Sequence, residues 1–228
     1  MRKIVLDTET TGLNPEQGHR VIEIGAVEIV NRRVSGRTFH TYLNPDREID
    51  AGAVEVHGLT SDFLADKPRF PDVVAEFLDF IAEAELVIHN APFDVGFLNS
   101  ELRRLESGDD LRRYCQGVLD TLKMAKEMHP GQKNNLDALC RRYEVDNSGR
   151  SYHGALLDAQ LLAEVYLAMT RGQDSLAIES FLTPPPQAQS AAGVRVGVKV
   201  FRASEAEVAE HQAYLENMAK DCGKSLAW

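Results

Sequence analysis

The stretch "IVLDTETTGL", residues 4–13, decides the fold, because it joins an apolar β-strand directly to acidic residues. Side chains alternate along a strand, so Asp7 and Glu9, two positions apart, point to the same side. Two like charges this close repel each other unless a proton or a cation lies between them. A hard divalent cation such as Mg²⁺ or Mn²⁺ prefers oxygen ligands of this kind. The alternative is a strand end whose acidic side chains lie in water.

The composition limits the class of protein. Of 228 residues, 43% are hydrophobic and 26% are charged, which predicts one globular domain and an additional segment. The net charge of −10 excludes a basic protein that coats nucleic acid, but it allows an acidic nucleic-acid enzyme if bound metal neutralises its site and it holds only a short strand end. Cys115, Cys140 and Cys222 lack the spacing of metal ligands and indicate reduced thiols. With no signal segment and no membrane-length apolar run, we expect a soluble cytoplasmic protein without a membrane partner.

The order of the predicted elements indicates an α/β fold, a mixed β-sheet flanked by helices. Apolar periodicity predicts strands at 2–9, 21–30, 38–43 and 85–90, and helices at 70–84, 91–106, 134–145 and 153–170. The main domain is expected to span residues 1–180.

A linker rich in proline, alanine and glutamine follows at residues 181–193 and includes "TPPPQAQSAAG". Beyond it, alternating valines predict a strand at 194–200, and Ser204 with Glu207 has the spacing of a helix capping box. The segment 194–228 is too short to bury a core of its own, so we expect it to become ordered on a partner. The alternative is a solvated tail.

Two further acidic residues lie on helix faces that should point to the core. Asp94 precedes apolar residues at +3, +4 and +8, and Asp158 precedes apolar residues at +3, +4 and +7. A buried carboxylate needs a partner, which is an arginine, a helix N-terminus or a metal ion. Taken together with Asp7 and Glu9, these acids favour a site for divalent metal.

His153 lies five residues before Asp158, a spacing that does not place both on one helix face. We therefore expect His153 on the preceding loop or in the first turn, where it can lean over the metal site. A histidine near its ordinary pKa suits a general base that deprotonates water. The alternative is an exposed loop histidine.

These motifs resemble the DEDD exonucleases: D-x-E on the first strand, "HNAPFD" at the start of a helix, and H-x4-D at a late helix. The histidine indicates the DEDDh branch, because the tyrosine branch would need a tyrosine where this chain has Gly154. Longer stretches, among them "RVIEIGAVEIVNRR" and "HGALLDAQLLAEVYLAMT", are similar to the ε subunits of bacterial DNA polymerase III. The resemblance implies an RNase H-like fold and a proofreading 3′–5′ exonuclease that releases nucleoside 5′-monophosphates.

The resemblance also implies a role for each acid. Two divalent metal ions, Mg²⁺ or Mn²⁺, would be held by Asp7, Glu9, Asp94 and Asp158, with Asp7 bridging both ions. Glu9 and Asp158 would complete the tighter site, and Asp94 would hold the second ion through water. His153 would take the proton from the water that attacks the terminal phosphodiester.

By the same resemblance, the terminal nucleotide would bind beside the "TETTGL" turn. Backbone N–H groups of the turn would hold it, Leu13 would wedge against its base, and stacking would tolerate every base. The implied substrate-binding residues are Thr8, Glu9, Thr10, Thr11, Gly12, Leu13, Val56, His57, Asn90, Phe93 and His153. The alternative for Leu13, His57 and Phe93 is plain packing.

Partners are implied by position. Gln173, Leu176 and Ile178 resemble the short peptide by which replication proteins bind the sliding clamp. The segment 194–228 would then bind the polymerase α subunit, and a small accessory subunit is a further possible partner. Two alternatives remain: a DEDDh enzyme that trims RNA 3′ ends, and a structural subunit with a vestigial site. The intact acids and histidine argue against the second.

Overall fold

The computed structural model describes residues 1–105, 110–149, 152–171 and 203–222. The chain divides into two compact units, Met1–Leu176 and Ala177–Trp228, and each is described by itself. The clamp-like motif, the linker and the valine strand lie outside the described residues. The domain boundaries at 180 and 193 therefore stay a prediction.

A five-stranded mixed sheet forms the centre of the first unit. Its strands are β1 (Arg2–Thr10), β2 (Val21–Val30), β3 (Arg33–Tyr42), β4 (Glu85–Ile88) and β5 (Gly117–Asp120), in the order β3-β2-β1-β4-β5. The first three strands pair antiparallel, while β4 runs parallel to both β1 and β5. The predicted mixed sheet is confirmed.

Seven α-helices surround this sheet in the described part of the first unit. They are α1 (Ala51–His57), α2 (Ser61–Leu64), α3 (Phe70–Ile81), α4 (Ala91–Arg103), α5 (Thr121–Met128), α6 (Leu136–Tyr143) and α7 (Ala155–Met169), with short 3-10 turns at Pro15–Gln17 and Leu111–Arg113. The sequence predicted α3, α4, α6 and α7, with ends a few residues longer than observed. It did not predict α1, α2, α5 or β5.

Alternation along β1 sends its side chains into two separate cores. Ile4 and Leu6 pack with Phe77 and Phe97 in the core on the side of α3 and α4. Val5 packs in the second core, which contains residues of α6 and α7. Continued along the strand, this alternation directs Asp7 and Glu9 toward α7 and directs Thr8 toward α4.

A glycine in β2 allows α7 to start close to the sheet. Gly25 pairs with Asp7 across the β1–β2 ladder. A Cβ atom at Gly25 would overlap the backbone of Ala155 and Leu156, the first residues of α7. The absence of a side chain at this position therefore lets the N-terminus of α7 approach the acidic end of β1.

The described part of the second unit contains one helix, α8 (Glu205–Cys222). Ser204 Oγ accepts a hydrogen bond from the Glu207 backbone N–H at 3.3 Å, and Glu207 Oε2 accepts one from the Ser204 N–H at 2.7 Å. This reciprocal pair confirms the predicted capping box. Within the described residues, no helix has the length and apolar character needed to cross a membrane.

Candidate active site

A cleft of about 260 Å³ lies where β1, β4, α4, α6 and α7 meet, and it is called the acidic cleft here. All five predicted catalytic residues line it: Asp7, Glu9, Asp94, His153 and Asp158. Its other lining residues are Thr8, His89, Asn90, Phe93, Asn135, Leu136, Asp137 and Leu162. The sequence analysis did not identify His89 or the residues of α6, because they do not belong to the pattern of acids on which it relied.

Three of these side chains converge closely enough to share one ion. Ligand atoms of Glu9, His153 and Asp158 all lie within 4.8 Å of one another. His153 Nδ1 is 3.3 Å from Asp158 Oδ2, and Asp158 is buried in the first turn of α7. Carboxylate oxygens and an imidazole nitrogen suit a divalent metal ion. Glu9 and Asp158 belong to the predicted ligand set, but among the described residues this group contains neither Asp7 nor Asp94, and it includes His153, which was predicted as a base.

Asp94 enters the acidic cleft from the other side of β1. It is 3% exposed, and its Oδ1 accepts hydrogen bonds from the Thr8 backbone N–H at 3.1 Å and the Thr8 hydroxyl at 2.7 Å. Burial raises the pKa of Asp94 from 3.8 to about 7, while these two hydrogen bonds oppose the shift. Thr8 is a partner that the sequence argument did not consider for this buried acid.

His153 occupies the loop immediately before α7, as predicted. Its side chain is 46% exposed, and its backbone N–H donates to the Val56 carbonyl at 3.1 Å. This bond attaches the loop to α1. The imidazole therefore lies at the mouth of the acidic cleft with its backbone held in place.

A second cavity, of about 510 Å³, adjoins the first and is called the apolar pocket here. It is lined by Thr8, Glu9, Thr10, Gly12, Leu13, Asp50, Gly52, Ala53, Val56, His57 and Phe93. Eight of these were predicted to bind substrate; Asp50, Gly52 and Ala53 were not, because α1 was not predicted. Thr8, Glu9 and Phe93 line both cavities.

Three of the predicted substrate-binding residues do not line the apolar pocket. Asn90 and His153 line the acidic cleft instead. Thr11 is fully buried and lines neither cavity. Its backbone N–H donates to the Arg20 carbonyl at 2.9 Å, so this N–H is engaged within the protein. Thr11 therefore stabilises the turn through contacts within the protein.

His57 lines the apolar pocket and has one ring nitrogen that is buried. Its Nδ1 accepts a hydrogen bond from the Leu59 N–H at 3.0 Å, so Nε2 carries the proton of the neutral ring. Nε2 lies near the Thr10 backbone but makes no hydrogen bond of good geometry within the described residues. Burial lowers the pKa of His57, which favours this neutral form.

Comparison with known proteins identifies the family. The family model described as "Exonuclease" matches residues 4–166. DNA polymerase III subunit epsilon of Salmonella typhimurium is 51% identical over 235 aligned residues, covering 99% of this chain and 96% of that protein. The chain belongs to this exonuclease family. The epsilon subunit of Rickettsia felis is 54% identical over 175 residues, covering 77% of this chain and 76% of that protein.

A solved structure supports the fold assignment. The nuclease domain of 3′hExo, described as a DEDDh family member bound to rAMP, matches with a TM-score of 0.64 and 20% identity. The match covers 76% of this chain and 92% of that one. The predicted RNase H-like exonuclease fold and the predicted membership of the family are both confirmed, and the family depends on divalent metal.

Proposed function

We propose that this chain is the proofreading subunit of the replicative DNA polymerase III of a bacterium. It would remove mismatched 3′-terminal nucleotides from DNA as nucleoside 5′-monophosphates. The shared wall between the two cavities supports this most directly. A terminal nucleotide in the apolar pocket would have its phosphodiester beside Glu9, which lines both cavities. Cleavage would then release one nucleotide at a time from the end.

Two divalent ions, Mg²⁺ or Mn²⁺, would be held in the acidic cleft by Asp7, Glu9, Asp94 and Asp158. When bound, they would supply an activated water and stabilise charge on the phosphate and on the leaving 3′ oxygen. The half-exposed imidazole of His153 is open to solvent, where it would accept the proton of the water. Thr8 fixes the Asp94 carboxylate with two hydrogen bonds, which limits its rotation.

The apolar pocket would bind the 3′-terminal nucleotide of DNA without distinguishing its base. Val56, Leu13 and Phe93 offer hydrocarbon and aromatic surface, which accepts any base. Leu13 is 85% exposed at its rim, so its side chain is free to wedge against the terminal base. Discrimination would come from the ease with which a mismatched end frays, because only an unpaired end reaches the pocket.

Association with the polymerase α subunit would use the segment 194–228. Its helix α8 exposes Val208, Tyr214 and Met218, by 50%, 63% and 36% respectively. Apolar side chains on a helix of this length suit the groove of a partner. The motif at 173–178 would bind the sliding clamp, and a small accessory subunit would bind elsewhere. The complex would work in the cytoplasm.

The proposal is tested with a 3′-mismatched primer–template and a single-stranded RNA of equal length. The wild-type chain and an Asp7→Ala variant are incubated with Mg²⁺ or with EDTA. We expect mononucleotide release from DNA that EDTA and the variant abolish. Faster degradation of RNA than of DNA would overturn the proofreading role in favour of RNA trimming. Absence of cleavage, repeated with the polymerase α subunit present, would indicate a vestigial site.

A further inference from the structure

A buried histidine lies behind the apolar pocket and connects its two walls. One wall contains Gly12 and Leu13 of the turn at residues 11–13, and the other is formed by α1 and its N-cap residue Asp50. His19 comes from the loop between β1 and β2, and its side chain is only 8% exposed. His19 does not line either cavity, so it has no place in the proposed chemistry.

The imidazole of His19 contacts one polar group in the turn and one at the N-cap of α1, and these two contacts together are called the bridge here. Its Nδ1 is 3.0 Å from the hydroxyl of Thr11, and its Nε2 is 3.5 Å from Oδ2 of Asp50. The Thr11 hydroxyl already accepts the Arg20 backbone N–H at 3.0 Å. In the tautomer that matches Asp50, the Thr11 hydroxyl donates its proton to Nδ1, and Nε2–H faces the Asp50 carboxylate.

Two further contacts fix the same arrangement. The Asp50 backbone N–H donates to the Thr11 carbonyl at 3.0 Å, so the turn and the N-cap of α1 are joined next to the bridge. The ring of His19 also packs against Gly12, where a Cβ atom would overlap it. Gly12, Asp50 and Leu13 line the apolar pocket, so the position of the ring sets the position of the lining.

We propose that His19 is a positioning residue that sets the spacing between the 11–13 turn and α1. It thereby sets the width of the apolar pocket that receives the terminal nucleotide. This inference rests on the proposed exonuclease function. His19 lines neither cavity and does not belong to the group of Glu9, His153 and Asp158, so its loss should weaken the binding of the nucleotide and leave the chemical step intact. Binding lost equally in the ground state and the transition state raises KM and leaves kcat unchanged.

Three variants distinguish the effect of the polar contacts of His19 from the effect of the packing of its ring. His19→Phe keeps a ring against Gly12 but removes both polar contacts. Asp50→Ala removes only the contact on the α1 side, and the double variant completes a cycle that measures coupling between the two residues. His129→Phe is the matched control, because it removes a 2.7 Å contact between His129 and the Tyr143 hydroxyl at a residue that lines neither cavity.

The readouts are KM and kcat on a single-stranded DNA oligonucleotide, the inhibition constant of dTMP, and Mn²⁺ affinity by electron paramagnetic resonance. For His19→Phe we expect KM and the dTMP constant to rise about five- to tenfold, with kcat and Mn²⁺ affinity within about twofold. Asp50→Ala should give a similar rise, and the double variant should add little to either. His129→Phe should match the wild type in all four.

Three outcomes would overturn the proposal: an unchanged KM and dTMP constant in His19→Phe, a loss of kcat or Mn²⁺ affinity as large as the change in KM, or effects that simply add in the double variant. The second outcome would identify His19 as a structural residue of the whole domain. If the wild type releases no nucleotide, the exonuclease proposal fails. The dissociation constant of dTMP, measured by direct binding, then tests the role of His19, and an unchanged constant in His19→Phe overturns it.

Discussion

The acidic cleft and the apolar pocket meet at Glu9, yet the protein builds them in different ways. The cleft is lined by β1 and by helices that pack on both faces of the sheet, and its acids Asp94 and Asp158 are each 3% exposed. The pocket is walled by a turn and a short helix, and Leu13 and Val56 at its lining are 85% and 46% exposed. Buried charge therefore lines the cleft, and exposed apolar side chains line part of the pocket.

The proposed function assigns cleavage to the acidic cleft and binding of the terminal nucleotide to the apolar pocket. Carboxylates must be held at fixed separations to bind an ion and position a water, which requires well-packed elements. A pocket that accepts any terminal base needs surface rather than fixed hydrogen bonds. Variants in the cleft should therefore change kcat, and variants in the pocket should change KM.

The largest effect is expected from Asp158→Asn, which keeps the shape of a buried side chain and removes its charge. We expect kcat to fall about 10²–10³-fold, the cost of removing one strong electrostatic contact in a catalytic site. The inhibition constant of dTMP should stay within about threefold, because the apolar pocket is untouched. Asp137→Asn is the matched control, since Asp137 lines the same cleft without belonging to the group formed by Glu9, His153 and Asp158. Equal losses in kcat and dTMP affinity would contradict the separation.

Gly25→Ala should distort the acidic cleft, because it moves the helix that carries one of its acids. The new methyl group overlaps the backbone of Ala155, so the start of α7 must move away from β1. Overpacking of this kind costs about 1–3 kcal/mol of unfolding free energy. Displacement of Asp158 and His153 from Glu9 should lower kcat about 10–100-fold, because small misplacements of catalytic groups are costly.

Urea denaturation and Mn²⁺ titration measure the two consequences of Gly25→Ala. Gly117→Ala in β5 is the control, since no atom lies within 4 Å of the Cβ position there. The control should keep wild-type Mn²⁺ affinity. A Gly25→Ala protein with wild-type stability and Mn²⁺ affinity would mean that α7 does not need this close approach.

Phe93→Leu tests the wall that both cavities share. Leucine retains contact with Phe97, whose ring centroid is 4.9 Å from that of Phe93, but it removes the aromatic face. We expect KM to rise about tenfold for all four terminal bases alike, within the range of one lost stacking contact. Phe63→Leu is the control, because Phe63 is 42% exposed and lines neither cavity. An effect confined to one base would indicate sequence readout instead.

The acidic cleft could be predicted from the sequence, because alternation and helical spacing place its acids on defined faces. Two residues that hold these acids in position, Thr8 and Gly25, could also be recognised from the sequence. Thr8 alternates onto the same face of β1 as Ile4 and Leu6, and a glycine inside a strand, such as Gly25, is typical of a close backbone approach.

The walls of the apolar pocket could not be predicted in the same way. Helix α1, "AGAVEVH", has only seven residues, contains a glycine and has no apolar stripe, so its sequence does not indicate a helix. Its position depends on tertiary contacts, among them the bond from the His153 N–H to the Val56 carbonyl. The bridge made by His19 depends on the path of a loop, which no local pattern determines.

The smallest predicted effect is a dependence of stability on pH that comes from Asp94. Burial raises the pKa of Asp94 from 3.8 to about 7, so the folded metal-free chain holds this proton where the unfolded chain has lost it. The native state therefore binds more protons between about pH 4 and pH 7, and the stability from this group falls as pH rises through that window. It is fully present below about pH 4 and lost above about pH 7.

Melting temperatures with and without Mg²⁺ measure this effect, compared with Asp94→Asn, which has no proton to lose. The wild type should lose a few degrees relative to this variant between pH 4 and pH 8 without metal. Mg²⁺ should restore about 2–4 °C at pH 8 and little at pH 5, because only the ionised carboxylate binds it. Asp79→Asn, a change of an exposed carboxylate on α3, should leave the wild-type profile unchanged. A Mg²⁺ effect equal at both pH values would mean that Asp94 is ionised throughout, held as an anion by the two hydrogen bonds from Thr8.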